Sequence, residues 1–199
     1  MEENNCKFIC SQGFRKSSDI FSLKNTNNYM DDINFNNFVD NYLIYIKTDY
    51  LKNFYVNLDK LKNKIILIIG SSDYTIPNDV LNNYDFEKLL NNKYIVKIYA
   101  ENCIYKHDKI INLPIGLDYH TMYNNHIYWG SKKTPLEQEI ELLNIRNIMK
   151  PFGERQLKIY SNCHFFISSK FGNDRKTALK EIPNHLLFLE PIQIDRKTS

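Results

Sequence analysis

The sequence predicts an α/β fold, a mostly parallel sheet with helices on both faces, on three observations. Short apolar runs alternate with segments of helical periodicity, the pattern left by successive strand–helix–strand units. Ile65–Ile69 is an apolar run without polar alternation, as a central parallel strand covered on both faces requires. Two strand candidates also empty into polar residues. Ile65–Gly70 leads into Ser71, Ser72 and Asp73, and Ile110–Gly116 leads into Leu117, Asp118, Tyr119 and His120. In an open parallel sheet such carboxyl-end loops form the ligand crevice, because helices cover the strand bodies. Ordinary βα turns are the alternative reading.

Taken in order, Lys7–Ser11 reads as a first strand, closed by the polar turn Gln12-Gly13, and Leu43–Lys47 reads as a second. Thr48 is placed to cap a helix over residues 49–62, where Leu51, Phe54, Tyr55 and Leu58 recur at helical spacing. After Ile65–Ile69, Pro77, Asn78 and Asp79 open a helix to about Leu90, and Ile95–Ala100 and Ile110–Leu113 supply two further strands. Thr134, Pro135 and Glu137 give a cap, a proline at the first helical position and the acid of a capping box. A helix therefore starts there, with Leu136, Ile140 and Leu143 as its buried stripe. Pro151 and Gly153 end it.

Beyond that break, Leu157–Ser168 reads as a strand, and Phe171–Arg175 leads into a helix to about Glu181. One strand and one helix cannot bury their own faces. Residues 1–154 are thus expected to form the main Rossmann-like unit, and residues 155–199 either the start of a second lobe or an appendage packed on the first. No internal repeat is visible.

A chain of 199 residues can bury roughly 70% of its unfolded surface, so no disulfide or structural metal is required. Cys6, Cys10, Cys103 and Cys163 show no zinc-type pairing with each other or with histidine, and reduced thiols are expected. No basic-then-apolar series follows Met1, and no run approaches about 18 apolar residues. A cytoplasmic chain without a transmembrane segment is the expectation. Charge is nearly balanced, 26 basic against 23 acidic side chains, without the basic stripe that a nucleic acid partner needs. The abundance of Asn, Ile, Lys and Tyr reads as the codon bias of an AT-rich genome.

Several strings, in order, carry a family likeness: Ser17-Ser18-Asp19-Ile20, Tyr45-Ile46-Lys47-Thr48-Asp49, Ile69-Gly70-Ser71-Ser72-Asp73-Tyr74, Tyr99-Ala100-Glu101-Asn102-Cys103, Leu113-Pro114-Ile115-Gly116-Leu117-Asp118 and Asn173-Asp174-Arg175. In that order the chain resembles the exostosin-like glycosyltransferases of large DNA viruses and protists, over most of residues 7–196. The resemblance implies a GT-B-type enzyme, represented here by its N-terminal, acceptor-side lobe and an incomplete second lobe. It implies transfer of a sugar from a nucleotide-sugar, as co-substrate, to a hydroxyl of a glycan or glycoprotein, with no further cofactor. That family's donor lobe continues past an Asp-Arg pair like Asp195-Arg196 into a glycine-rich loop and an Arg-Trp-Glu helix, which this sequence does not contain. A non-catalytic glycan- or nucleotide-binding module derived from such an enzyme is the alternative expectation.

Sugar transfer needs a base beside the acceptor hydroxyl and positive charge or backbone donors beside the departing diphosphate. Asp73 and His120 are the base candidates; the alternatives are that Asp73 caps its own turn and that His120 is merely solvated. Gly70, Ser71, Ser72, Asn102, Gly116 and Asp118 are the candidate substrate-binding residues, the glycines because they let backbone approach a ligand. Arg175 and Lys170, at a helix start, are the candidates for donor phosphate. Tyr119, Tyr123, Tyr128 and Trp129 offer either a sugar platform or packing. There is no Asp-x-Asp loop and the histidines are dispersed, so no metal is expected.

Overall fold

The computed structural model describes residues 3–21, 33–124, 130–161 and 172–189. Its centre is a five-stranded, wholly parallel sheet of β1 (Ile20–Phe21), β2 (Tyr42–Lys47), β3 (Ile65–Gly70), β4 (Ile95–Ala100) and β5 (Ile110–Asn112). Spatial order follows chain order, so each strand lies beside its predecessor. A doubly wound sheet reverses direction and opens its crevice at the reversal. This sheet has no reversal among its five strands, and its ligand-sized space arises at the strand ends instead.

Register decides where those ends lie. Lys47 pairs with Gly70, Ile69 with Ala100, and Ala100 with Asn112. Gly70 is therefore level with Glu101, and the carboxyl ends of β2, β3, β4 and β5 form one rim.

Alternation splits the strands between two faces. Ile44, Ile46, Ile65, Leu67, Ile69, Ile98 and Ala100 share one core with Leu51 and Phe54 of α2 (Leu51–Tyr55) and with Phe86, Leu89 and Leu90 of α3 (Asn83–Leu90). Tyr45 and Ile68, on the other face, are buried as well, and α1 (Ser11–Lys16) packs against β3. Helices as short as α2 are marginal alone. Full burial of Phe54, worth about 2 kcal/mol over exposure, is what holds that turn on the sheet.

Several expected elements differ. Lys7–Ser11 is not a strand: Cys10 makes a single parallel bridge to Leu117, and Ser11 already begins α1. Gly13 explains the tight helix entry, since a Cβ there would sit 2.9 Å from Cys10 Sγ and 3.1 Å from the Glu3 carbonyl oxygen. The first strand is the two-residue β1, too short to show a period. The helix expected over 49–62 is α2 flanked by 3-10 turns at Thr48–Tyr50 and Leu58–Lys60. Asn57 Nδ2 donates to the Asn53 carbonyl at 2.7 Å, a local bond that competes with continuing the helix. Thr48 does not cap; its hydroxyl donates to the Gly70 carbonyl at 3.4 Å. Pro77 opens a turn, and α3 begins only after Asn82, whose side chain accepts from Asp85 N–H at 2.8 Å.

The capping box of α5 (Pro135–Ile148; α4 is the short helix Tyr119–Asn124) forms as read: Glu137 N–H donates to Thr134 Oγ1 at 3.3 Å, and Thr134 N–H donates to Glu137 Oε2 at 2.7 Å. Its buried side is different. Pro135, Gln138 and Glu139 are inside, while Leu136 and Ile140 are 40% and 47% exposed. Polar bonds set that rotation. Glu139 accepts the Lys7 and Phe8 N–H groups, and Gln138 Nε2 donates to the Tyr119 and Lys133 carbonyls. Thr134→Ala removes one end of the box and should lower unfolding free energy by about 1 kcal/mol in urea titrations.

A second, two-stranded parallel sheet joins β6 (Ile159–Ser161) to β7 (Leu187–Leu189), with α6 (Gly172–Glu181) between them in sequence. Of the strand expected over Leu157–Ser168, Leu157 and Lys158 precede β6 without strand structure, and residues 162–168 lie outside the described residues. No helix among the described residues is long and apolar enough to cross a membrane.

Candidate functional site

A cleft of about 530 Å³ lies over the carboxyl rim of β2–β4. Each strand end contributes to its wall: Lys47 at the end of β2 and Asp49 after it, Ser71–Tyr74 after β3, Glu101 after β4, and Ile115, Asp118 and His120 after β5, with Ser11 of α1 also lining it. A second cleft of about 500 Å³ adjoins it, sharing Asp73 and Ile115 and reaching Asn102 and Cys103.

Glu101 is the most constrained group in the wall. Its side chain is only 2% exposed, Oε2 accepts the Ser71 N–H at 2.7 Å, and Oε1 is buried without a hydrogen-bond partner. Two backbone features make room for it. Gly70 is beneath the carboxyl, where an added Cβ would lie 2.7 Å from Cδ and 2.8–2.9 Å from both oxygens. Ser71 adopts φ +60, a left-handed conformation that a side-chain-bearing residue rarely takes, and this aims its N–H at Oε2. Burial pushes the Glu101 carboxyl above its ordinary 4.5, against the opposing pull of the Ser71 bond.

That shift has a signed consequence for stability. Between 4.5 and its raised value the folded state holds a proton on Glu101 that the unfolded state has released. Stability therefore falls as pH rises through this window. Glu101→Gln should flatten that part of the profile, measured by chemical denaturation at stepwise pH above 4.5; an unchanged slope would assign it to other groups.

His120 and Asp118 form the second feature. Nδ1 of His120 lies 2.9 Å from Asp118 Oδ1, close but without hydrogen-bond alignment. The same Oδ1 accepts Thr121 N–H at 3.0 Å, which makes Asp118 the N-cap of α4. One carboxylate thus starts the helix that carries His120 and lies beside its imidazole. Opposite, Lys47 Nζ lies 3.4 Å from Asp49 Oδ2.

Asp73 does not cap its turn. Ser72 does, its hydroxyl accepting Tyr74 N–H at 3.3 Å, and the Asp73 carboxylate is left exposed at the junction of the two clefts. Asn102 follows β4 in a left-handed conformation with φ +51; its Nδ2 donates to the Ser72 carbonyl at 2.9 Å, stitching two rim loops together. Gly116 turns at φ +74, and the close approach it permits is to the chain's own backbone, where a Cβ would fall 2.5 Å from the Ile9 carbonyl oxygen.

The expected residues therefore divide. Ser71, Ser72, Asp73, Asp118 and His120 meet around one cleft, Gly70 underlies it, Asn102 lines the adjoining one, and Gly116 fixes the loop that brings Asp118 in. Arg175 stands in α6 with its side chain outside the described part, and Lys170 lies outside the described residues altogether. Of the aromatic group, Tyr119 is buried and Tyr123 exposed, both on α4 rather than in a loop, and Tyr128 and Trp129 are outside the described residues. Glu101, Lys47 and Asp49 were not among the expected site residues, although each follows or ends a strand in the way that singled out Asp73. No cluster of three or more His, Cys, Asp or Glu side chains among the described residues is arranged to hold a metal ion. No protein-family model and no curated protein matches this chain.

Proposed function

We propose that the rim cleft is the acceptor side of a sugar-transfer enzyme, the Rossmann-like N-terminal lobe of a GT-B-type glycosyltransferase resembling the exostosin-like kind. Its nucleotide-sugar donor gives up a sugar to a hydroxyl of a glycan or glycoprotein. The observation that carries this reading is the Asp118–His120 pair facing a polar cleft at the carboxyl ends of parallel strands. Asp118 beside Nδ1 favours the ring proton there and leaves Nε2 as the acceptor. An acceptor hydroxyl in the cleft gives its proton to Nε2 while its oxygen bonds to the anomeric carbon; the bond to the diphosphate breaks, and the nucleoside diphosphate departs with the electron pair. Asp73, exposed and uncommitted to its turn, is the second candidate base. Arg175 and Lys170 keep the donor-phosphate role on the helix-start argument from sequence.

One observation favours the second reading, a glycan-binding module without transfer. Among the described residues the cleft is lined by the carboxylates Asp49, Asp73 and Asp118 against Lys47 as the one ammonium group, a balance that disfavours a diphosphate. Screening UDP-, GDP- and TDP-sugars by calorimetry, with release of free nucleotide followed in the presence of oligosaccharide acceptors, separates the two. Saturable donor binding with acceptor-dependent release supports transfer. Oligosaccharide binding without any donor binding leaves the module.

A further inference from the structure

We propose that Glu101 is the specificity residue of this cleft, its buried Oε1 forming a hydrogen bond to a hydroxyl of an uncharged sugar ring; the inference rests on the sugar-binding reading above. Two backbone features hold this one carboxyl in place: the missing Cβ of Gly70, and the left-handed Ser71, whose N–H donates to Oε2. The hydrogen bond they provide goes to Oε2 alone. Neither satisfies Oε1, which is buried at the cleft wall with no hydrogen-bond partner. A buried oxygen left in that state is costly, and a ligand group that pairs with it recovers the loss.

The chemistry of the pairing group follows from the surroundings. With Oε2 already accepting from Ser71, Oε1 is the oxygen left to pair with a ligand group, and burial shifts this carboxyl toward its protonated form. Around it, Asp49, Asp73 and Asp118 offer only acceptor oxygens. A sugar hydroxyl both donates and accepts, so a ring bearing several matches a wall that mixes these acceptors with the hydroxyls of Ser11, Ser71, Ser72 and Tyr74. An anionic ring does not, because Lys47 is already beside Asp49, while Asp73 and Asp118 add carboxylate charge to the same wall. The substrate class is therefore a neutral glycan terminus, and uronic-acid or phosphorylated termini are rejected.

The test is calorimetry on the full chain near pH 7, with neutral gluco-, galacto-, manno- and xylo-oligosaccharides and the matched uronic-acid oligosaccharides. Three proteins are compared: wild type, Glu101→Gln and Glu101→Leu, each first checked for cooperative melting. The wild type should bind at least one neutral oligosaccharide more than tenfold tighter than its uronic counterpart. Glu101→Gln keeps an acceptor for Ser71 and a donor toward the ligand, so its affinity should stay within about threefold. Glu101→Leu should lose more than tenfold. Equal affinity for uronic ligands, a folded leucine variant that binds like wild type, or a glutamine variant that loses tenfold would each overturn the proposal while sugar binding itself stands. If the leucine variant fails to fold, the wild-type preference and the glutamine variant still decide. A wild type that binds no oligosaccharide and no nucleotide-sugar overturns the sugar-binding reading, and this inference with it.

Discussion

His120→Ala should reduce acceptor-dependent nucleotide release by 10²- to 10⁴-fold, the usual contribution of a positioned general base. The loss should fall on kcat, because in the proposed mechanism the imidazole acts on the proton that moves in the transition state rather than on ground-state contacts. Folding should be spared, since the His120 side chain is about one-third exposed at the cleft edge and makes no hydrogen bond that holds α4. Asp118→Asn refines the test. Asparagine caps a helix as well as aspartate does, so α4 keeps its Thr121 bond, while the charge beside Nδ1 disappears. A smaller drop in kcat with unchanged melting is the expected result. If His120→Ala retains full turnover and Asp73→Asn abolishes it, Asp73 is the base and the Asp118–His120 contact is structural.

Much of the fold was legible because its strongest signals are local. Ile65–Gly70 is a strand by composition alone, and Thr134 with Glu137 fixes a helix start through bonds only three residues apart. The misread parts were decided by distant partners. Nothing in the segment around Pro135–Ile148 reveals that Glu139 will accept N–H groups from Lys7 and Phe8, yet those bonds turn Leu136 and Ile140 outward. Cys10 likewise keeps an extended backbone but finds its one bridge with Leu117, far away in sequence. The site followed the same rule. Strand-end position singled out Asp73, Asp118 and His120, but Glu101 gains its importance from Gly70 and Ser71 on the neighbouring strand, and that adjacency exists only through the register of β3 with β4. Gly116 was read as making room for a ligand; the room is taken by Ile9, whose carbonyl also accepts Leu117 N–H at 2.8 Å.

Gly116→Ala should consequently be among the most damaging single-methyl additions in the chain. The new Cβ would lie 2.5 Å from the Ile9 carbonyl oxygen, 2.8 Å from its carbon and 3.0 Å from Cys10 Cα. All three are backbone atoms, so no side-chain rotamer can relieve the clash. The φ of +74 adds left-handed strain of about 1 kcal/mol, and overpacking against fixed backbone adds roughly 1–3 kcal/mol. A total near 3 kcal/mol corresponds to a fall in Tm of roughly 6–12 °C for a chain of this size. Gly153→Ala is the matched control: nothing lies within 4 Å of its added Cβ, and its stability should change by less than about 0.5 kcal/mol. The effect should also reach the cleft. Relief of the clash must separate the Leu117 loop from Ile9 and Cys10, and Asp118 and His120 follow immediately in the chain, so nucleotide release should fall at temperatures where the variant is still folded. If Gly116→Ala melts with wild type, the Ile9 contact does not fix this junction, and the placement of His120 must be owed to its cap on Asp118 and to the packing of α4 against α5.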